Sequence, residues 1–365
     1  MLSRFSVRNY MGFPNTILWD LSKPHDYTFN TNLIKNGIVK NGIIYGVNGS
    51  GKSSLGRAVF DIYSLINLKE NYSSVIYAGN QHSTMDFDYV FVFEECGTVE
   101  YSYSKTINGT IVKEMLSNNG ITLFSKDGTH ISFAPEFPVD SNMKKQLNQG
   151  QNSVPLIKFL YASYPLKKKH PITCLMRFVS SMLWFRCLDE RRYIGVDEGF
   201  VMIEEYIIKH GYLSAYSDFL FKESGQRFDF SLTGNDDKFI VCKINDERIL
   251  LNEIMSTGTR SLELLFYWTM RMKEKDIKFV FIDEFDAFYH FELSINVCRT
   301  LFAEDFQVFL SSHNTLLLQN DFLRPDCAFY IQNNSINSLS ELTSRGELRE
   351  GHNIEKMFRA GAFNK

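Results

Sequence analysis

Gly46-Val47-Asn48-Gly49-Ser50-Gly51-Lys52-Ser53 fits the pattern G-x-x-x-x-G-K-[ST], and its setting gives the pattern physical meaning. The apolar run Ile43-Ile44-Tyr45 precedes it, and the helix-like Ser54-Leu55-Gly56-Arg57-Ala58-Val59-Phe60 follows it. The order is strand, glycine loop, helix. Three glycines let the backbone curl so that amide N–H groups face inward, and the helix N-terminus adds partial positive charge, so a nucleotide polyphosphate is the natural guest. Asn48, Gly49, Ser50, Gly51, Lys52, Ser53 and Ser54 are the candidate binding segment. Lys52 is expected to reach the β- and γ-phosphates, and Ser53 to ligate Mg²⁺.

The rest of the composition is globular. In 365 residues, 44% are hydrophobic and 22% charged, enough for a sizeable core in one large domain or two ordinary ones. A net charge of −3 gives no overall pull toward nucleic acid or an anionic membrane. The six cysteines (Cys96, Cys174, Cys187, Cys242, Cys298, Cys327) show no C-x-x-C and no zinc spacing, which points to reduced thiols. The first residues alternate instead of forming an apolar signal segment, and no run approaches the ~20 apolar residues needed to cross a bilayer. A soluble cytoplasmic protein is expected.

Along the chain, residues 1–20 alternate as two short strands would, and the helix after Ser53 is expected to run through Phe60, Ile62, Tyr63 and Leu65. From Asp86 to about Pro135 the period is two, punctuated by Asn108-Gly109, Asn119-Gly120 and Asp127-Gly128, the signature of an antiparallel meander. Between about 140 and 225 the texture is helical, with Leu156, Phe159, Leu160, Met176, Phe178, Met182, Leu183 and Trp184 at helical intervals. Lys167-Lys168-Lys169-His170 and Arg186, Arg191 and Arg192 are its basic stretches, read first as solvated helix faces and second as a nucleic-acid or protein contact. Phe228–Leu251 returns to strands. The divisions are 1–140 (phosphate loop and meander), 141–225 (mainly helical insert) and 226–365 (C-terminal lobe).

The second half of the site lies far downstream. Lys278-Phe279-Val280-Phe281-Ile282 reads as a buried strand ending in Asp283-Glu284, where an open α/β sheet places its ligand. Asp283 is expected to hold Mg²⁺ and Glu284 to polarise the attacking water. A third strand, Gln307-Val308-Phe309-Leu310, ends in Ser311-Ser312-His313, placing His313 beside the γ-phosphate. Met255-Ser256-Thr257-Gly258-Thr259 opens a further helix with a hydroxyl, amides and a helix N-terminus, again suited to an anion.

Phosphate loop, about two hundred residues, Ser-x-Gly helix, Asp-Glu strand and strand-terminal His is the order of ABC-type ATPase heads, shared with RecF and the overcoming-lysogenization-defect (OLD) ATPases. The chain resembles most the small bacterial AAA-family/ABC-type ATPases, a group that includes ATPase subunits of the phage-defence systems PARIS and Septu. The resemblance is carried by Leu2-Ser3-Arg4-Phe5-Ser6-Val7-Arg8-Asn9-Tyr10, by Asp283-Glu284-Phe285-Asp286 with His290, and by Asn353-Ile354-Glu355-Lys356 followed by Arg359-Ala360-Gly361-Ala362-Phe363. It thins between about 140 and 225. It implies a homodimer or higher homo-oligomer in which two heads sandwich two ATP molecules. Ser256 and Gly258 are then expected to bind ATP across the interface, with Asp286 and His290 in the loop meeting the opposite subunit. It also implies a glutamine that senses Mg²⁺, for which Gln81 is the candidate. The signature lacks the double glycine of transporters, as in the non-transporter branches.

Other readings fit less well. A GTPase needs Asn-Lys-x-Asp, an AAA+ motor needs its Asp-Glu strand within roughly a hundred residues of the loop, and a phosphate-loop kinase has no use for the signature helix. A transporter ATPase suits the meander less, and a purely structural ATP site leaves Glu284 and His313 without a purpose. Nothing after His313 reads as a nuclease. The expectation is therefore an ATP- and Mg²⁺-dependent ATPase head of α/β class, with an N-terminal antiparallel β-meander and a compact, mainly helical insert. It is expected to switch a separate effector chain, a nuclease or toxin, in antiviral defence. A RecF-like DNA-maintenance ATPase that grips nucleic acid through the basic insert is the alternative.

Overall fold

The alternating N-terminal residues form β1 (Leu2–Arg8) and β2 (Ile17–Asp20), followed by a small hairpin, β3 (Ile34–Lys35) with β4 (Ile38–Val39), and by β5 (Asn41–Tyr45). In this computed structural model the described residues are 1–67, 82–137, 139, 141–142, 145, 147, 154–187, 193–195, 202–234, 239–343 and 348–363. After β5 come α1 (Lys52–Val59) and α2 (Asp61–Asn67). The meander follows as β6 (Thr84–Phe93), β7 (Gly97–Thr106), β8 (Ile111–Asn118), β9 (Ile121–Asp127) and β10 (His130–Phe133). It joins β1 and β2 in one antiparallel sheet of order β10-β9-β8-β7-β6-β1-β2. One of the three expected Asn-Gly and Asp-Gly turns has the two-residue form that the sequence promised: Asn119 and Gly120 both take positive φ (48° and 80°), as a type I′ hairpin demands, whereas Asn108 and Asp127 do not, Asp127 being the last residue of β9.

The expected single helix after the loop breaks at Phe60. The reason lies in the meander. Asp61, which opens α2, accepts hydrogen bonds from Tyr103 Oη and Lys105 Nζ, both at 2.7 Å and all buried, so the chain bends to keep this charge paired. Tyr89 Oη donates to the Ala58 carbonyl at 3.0 Å and fastens the same sheet to α1.

The next residues give α3 (Leu156–Ser163), α4 (Pro171–Ser180), β11 (Met182–Arg186), β12 (Tyr193–Gly195), α5 (Ile203–Lys209) and α6 (Leu213–Ser224). Here the helical reading of Met182, Leu183 and Trp184 is overturned: they are strand. A run buried on both faces has no polar alternation to betray it, so it looks the same as a buried helix segment. The predicted return to strands is met by β13 (Phe230–Thr233), β14 (Phe239–Ile244) and β15 (Glu247–Leu250), a separate antiparallel sheet.

The remaining elements are α7 (Leu251–Ile254), α8 (Thr257–Glu274), β16 (Phe279–Asp283), α9 (Phe291–Phe302), β17 (Gln307–Ser312), β18 (Ala328–Gln332), β19 (Ser335–Ser338), α10 (Leu339–Leu342) and α11 (Ile354–Arg359). The core sheet has the order β12-β11-β16-β17-β5-β18-β19, with β11, β16, β17, β5 and β18 parallel. Its two faces are covered by different layers. Trp184 meets α1, where a Cβ on Gly56 would lie 2.9 Å from the indole nitrogen, while the next residue, Phe185, stacks on Trp268 of α8. On the α1 side β2 closes over the same sheet, with Trp19 packed edge-on against Phe309 and Phe329. The fold is α/β, a mainly parallel core sheet with a glycine loop between β5 and α1, an antiparallel meander and a mainly helical insert, and that insert supplies β11 to the core sheet.

Candidate active site

The phosphate loop joins β5 to α1. Gly51 caps the helix at φ 108°, and a Cβ there would sit 2.7 Å from the Phe13 ring, so only glycine serves. Gly46 is equally crowded, with Ser50 Oγ 2.4 Å and the Ile331 carbonyl 2.9 Å from where a Cβ would lie. Lys52 is buried, and its ammonium bridges the loop, donating to the carbonyls of Gly46 (2.7 Å) and Val47 (3.2 Å) and to His313 Nδ1 (3.2 Å). Since an ammonium only donates, Nδ1 is the acceptor and the proton of the neutral ring lies on Nε2. Burial pushes the Lys52 amine down to about 8, against the opposing pull of Asp283, Glu284 and Asp286.

Asp283, fully buried, ends β16, and its partner sits at the end of the neighbouring strand. Ser311 Oγ donates to Asp283 Oδ1 at 2.6 Å and accepts from the Glu284 amide at 2.8 Å. Ser312 Oγ likewise donates to Asp286 Oδ2 at 2.7 Å; burial raises the Asp286 carboxyl, while the Ser312 hydrogen bond opposes the rise. The two serines therefore fix the acidic turn to the His313 strand. Glu284 adopts φ 51°, left-handed backbone that a residue with a Cβ takes up only at a cost of order 1–3 kcal/mol. This geometry leaves Glu284 Oε1 4.0 Å from His313 Nε2 and Glu284 Oε2 2.9 Å from Arg186 Nη2.

A cavity of about 480 Å³ opens over these groups, lined by Asn48, Glu284, Asp286, Ala287, His313 and Asn314. It lies at the carboxyl ends of the parallel strands, where an open sheet binds its ligand. A hollow of about 500 Å³ at the opposite ends, near Lys40, Lys278 and Gln307, has no comparable convergence of motif residues. The residues present fit a Mg²⁺–nucleotide complex. Two buried oxygens near the loop and the acidic strand, Ser50 Oγ and Asp283 Oδ2, have no hydrogen-bond partner, and the loop glycines leave no room for side chains. Among the described residues no three His, Cys, Asp or Glu side chains are grouped to hold an ion unaided.

The loop residues Asn48 to Ser54, Asp283, Glu284 and His313 thus gather around one end of the core sheet. Ser256 and Gly258 lie elsewhere: Ser256 caps α8 by accepting from the Thr259 amide at 3.1 Å, and Gly258 faces the Phe288 carbonyl, 3.2 Å from where a Cβ would be. His290 caps α9, accepting from the Leu293 amide. Gln81 lies outside the described residues. Sequence reasoning missed Ser311 and Ser312 as supports, and it counted Arg186 with a solvated basic face. The signal for Arg186 was an apolar run ending in one charge, the same form as the Asp283 strand. All six cysteines are free thiols, and no helix among the described residues is long and apolar enough to cross a membrane.

No protein-family model and no curated protein sequence matches the chain. Similar solved structures include an SMC head bound to the C-terminal winged-helix domain of ScpA, at 16% identity and TM-score 0.49, covering 93% of this chain and 98% of that one. The SMC head domain from Thermotoga maritima is 13% identical with TM-score 0.46, covering 92% and 97% respectively. The recombination mediator RecF with ATP is 14% identical with TM-score 0.42, covering 93% and 97%. Identities this low leave the functional reading to rest on the side chains described above.

Proposed function

We propose that the chain binds and hydrolyses ATP and works as a nucleotide-driven switch of two or more heads. One observation carries this: Asn48 of the loop, Glu284 and His313 line one cavity at the ends of neighbouring parallel strands, with the buried Lys52 bonded to His313 and Asp283 bonded to Ser311 just behind them. Lys52 and the loop hold the polyphosphate, Ser53 and Asp283 hold Mg²⁺, Glu284 takes the proton of water, and His313 reads the terminal phosphate. Mg²⁺ supplies charge neutralisation between the phosphate oxygens. Gln81 remains a proposed further contact to the ion.

Ser256 and Gly258 are proposed to complete the site of an opposing head. What supports this is their place at the N-terminus of α8, where Ser256 is the cap and Gly258 lies in the first turn, together with the motif order of the sequence. Ser256→Arg is expected to bind nucleotide as the wild type does and to remain monomeric with Mg·ATP, while the wild type gains mass in multi-angle light scattering. Normal association of the variant would show that the site is completed within one chain.

The signal served by such a switch is proposed to be antiviral, acting on a separate nuclease or toxin chain, on the strength of the motif resemblance at both ends of the sequence. Nucleotide-dependent co-purification with a neighbouring gene product tests it. A DNA-maintenance role is the second reading, favoured by the three exposed lysines Lys167, Lys168 and Lys169 just before α4. It predicts DNA affinity that falls with salt at a log–log slope of about 0.9 per phosphate neutralised; salt-insensitive or absent binding discards it.

A further inference from the structure

Arg186 is the last residue of β11, in register with Asp283 on the adjacent parallel strand. Strand pairing therefore delivers a guanidinium to the two acids of the site. Its Nη2 donates to Glu284 Oε2 at 2.9 Å, and its Nε lies 3.5 Å from Asp283 Oδ2. The side chain is 23% exposed, against 17% for Glu284 and 0% for Asp283, so water screens this cluster far less than a surface pair. The two oxygens of Glu284 are held unequally: Oε2 carries a charge-assisted bond, while Oε1 stands 4.0 Å from the nearest His313 nitrogen.

Held in this way, Glu284 Oε2 is turned toward the guanidinium and gives it a lone pair that would otherwise face water. A better partner for the guanidinium is close at hand. Arg186, Glu284, His313 and Lys52 stand in one row, with 2.9 Å from Arg186 Nη2 to Glu284 Oε2, 4.0 Å from Glu284 Oε1 to His313 Nε2 and 3.2 Å from His313 Nδ1 to Lys52 Nζ, so a phosphoryl group held by Lys52 sits beside the carboxylate that Arg186 engages. The planar fork of an arginine matches the oxygens of a terminal phosphate, which carries more charge than a single carboxylate.

We propose that Arg186 is a positioning residue that reads the γ-phosphoryl group. It restrains Glu284 in the geometry described here, and it transfers to the terminal phosphate oxygens when a nucleoside triphosphate binds, which leaves Glu284 Oε2 available to water. A diphosphate has no terminal group to draw the arginine away, so Glu284 stays restrained. The inference rests on the ATPase reading above and gives that site a means of telling ATP from ADP.

The test is calorimetric titration of wild type, Arg186→Gln and Arg186→Lys with Mg·ADP and with a non-hydrolysable Mg·ATP analogue. The expected result for Arg186→Gln is a triphosphate-over-diphosphate preference reduced at least about tenfold, with ADP affinity within about twofold of wild type; unchanged ADP binding also shows that the loop is folded. Arg186→Lys is expected to fall between, keeping the charge and losing the fork. Either variant retaining the wild-type preference, or weakening both nucleotides alike, overturns the proposal. Wild-type protein that binds neither nucleotide overturns the ATPase reading itself and this inference with it.

Discussion

Glu284→Gln is expected to bind Mg·ATP with near wild-type affinity and to lose turnover by about a hundredfold or more, the usual contribution of a positioned general base. The amide keeps the size of the carboxylate and the backbone hydrogen bond from the Glu284 N–H to Ser311, so the left-handed turn after β16 has no new strain to absorb. Asp283 keeps its bond from Ser311, so the ion-holding carboxylate is untouched. What disappears is the negative charge that lets the side chain take the proton of water. Phosphate release under saturating ATP, set beside equilibrium binding of the same preparation, checks both halves. Wild-type turnover would make another group the base, and lost binding would move Glu284 from water activation to ion binding.

Lys52→Ala should abolish ATP binding in the working range, a loss of at least about a hundredfold, or roughly 3 kcal/mol, as expected when a charged hydrogen-bond donor to an anion is deleted. Its ammonium ties together Gly46, Val47 and His313, so the variant loses both a cation for the phosphates and the strut across the loop. Burial already holds this amine at a disadvantage, since its value falls to about 8, and truncation is therefore expected to leave the thermal midpoint close to that of wild type. Titration calorimetry beside a melting curve separates the two effects. Unchanged ATP affinity would refute the phosphate cradle.

The legible part of this site was the part written in local chemistry. A glycine loop between strand and helix, two acids closing an apolar strand, and a histidine closing another each need only a few neighbouring residues to be read, and all three meet over one cavity. The meander was legible because its strands alternate buried and more exposed residues and its turns carry glycines that take positive φ, Asn119-Gly120 being the two-residue case. What escaped was fixed by register between distant strands. Arg186 and Asp283 are joined only because β11 pairs with β16, and Ser311 meets Asp283 only because β17 pairs with β16. Nothing in Met182-Leu183-Trp184-Phe185 separates a doubly buried strand from a buried helix, so the residue at its end could not be placed. The break at Phe60 escaped for a similar reason, since it is set by Tyr103 and Lys105 of the meander.

The packing of Trp184 gives this protein a built-in optical probe. Its indole rests on Gly56 in the helix that follows the phosphate loop, with the Arg57 guanidinium 5.9 Å from the ring centre and Arg186 two residues further along the same strand. The other two tryptophans are buried elsewhere, Trp19 against Phe309 and Phe329 and Trp268 against Phe185, in the layers above and below the core sheet. A chain that keeps only Trp184 would report movement of the loop helix or of its guanidinium neighbours as a change in emission, with no dye attached and on the time scale of a single mixing experiment.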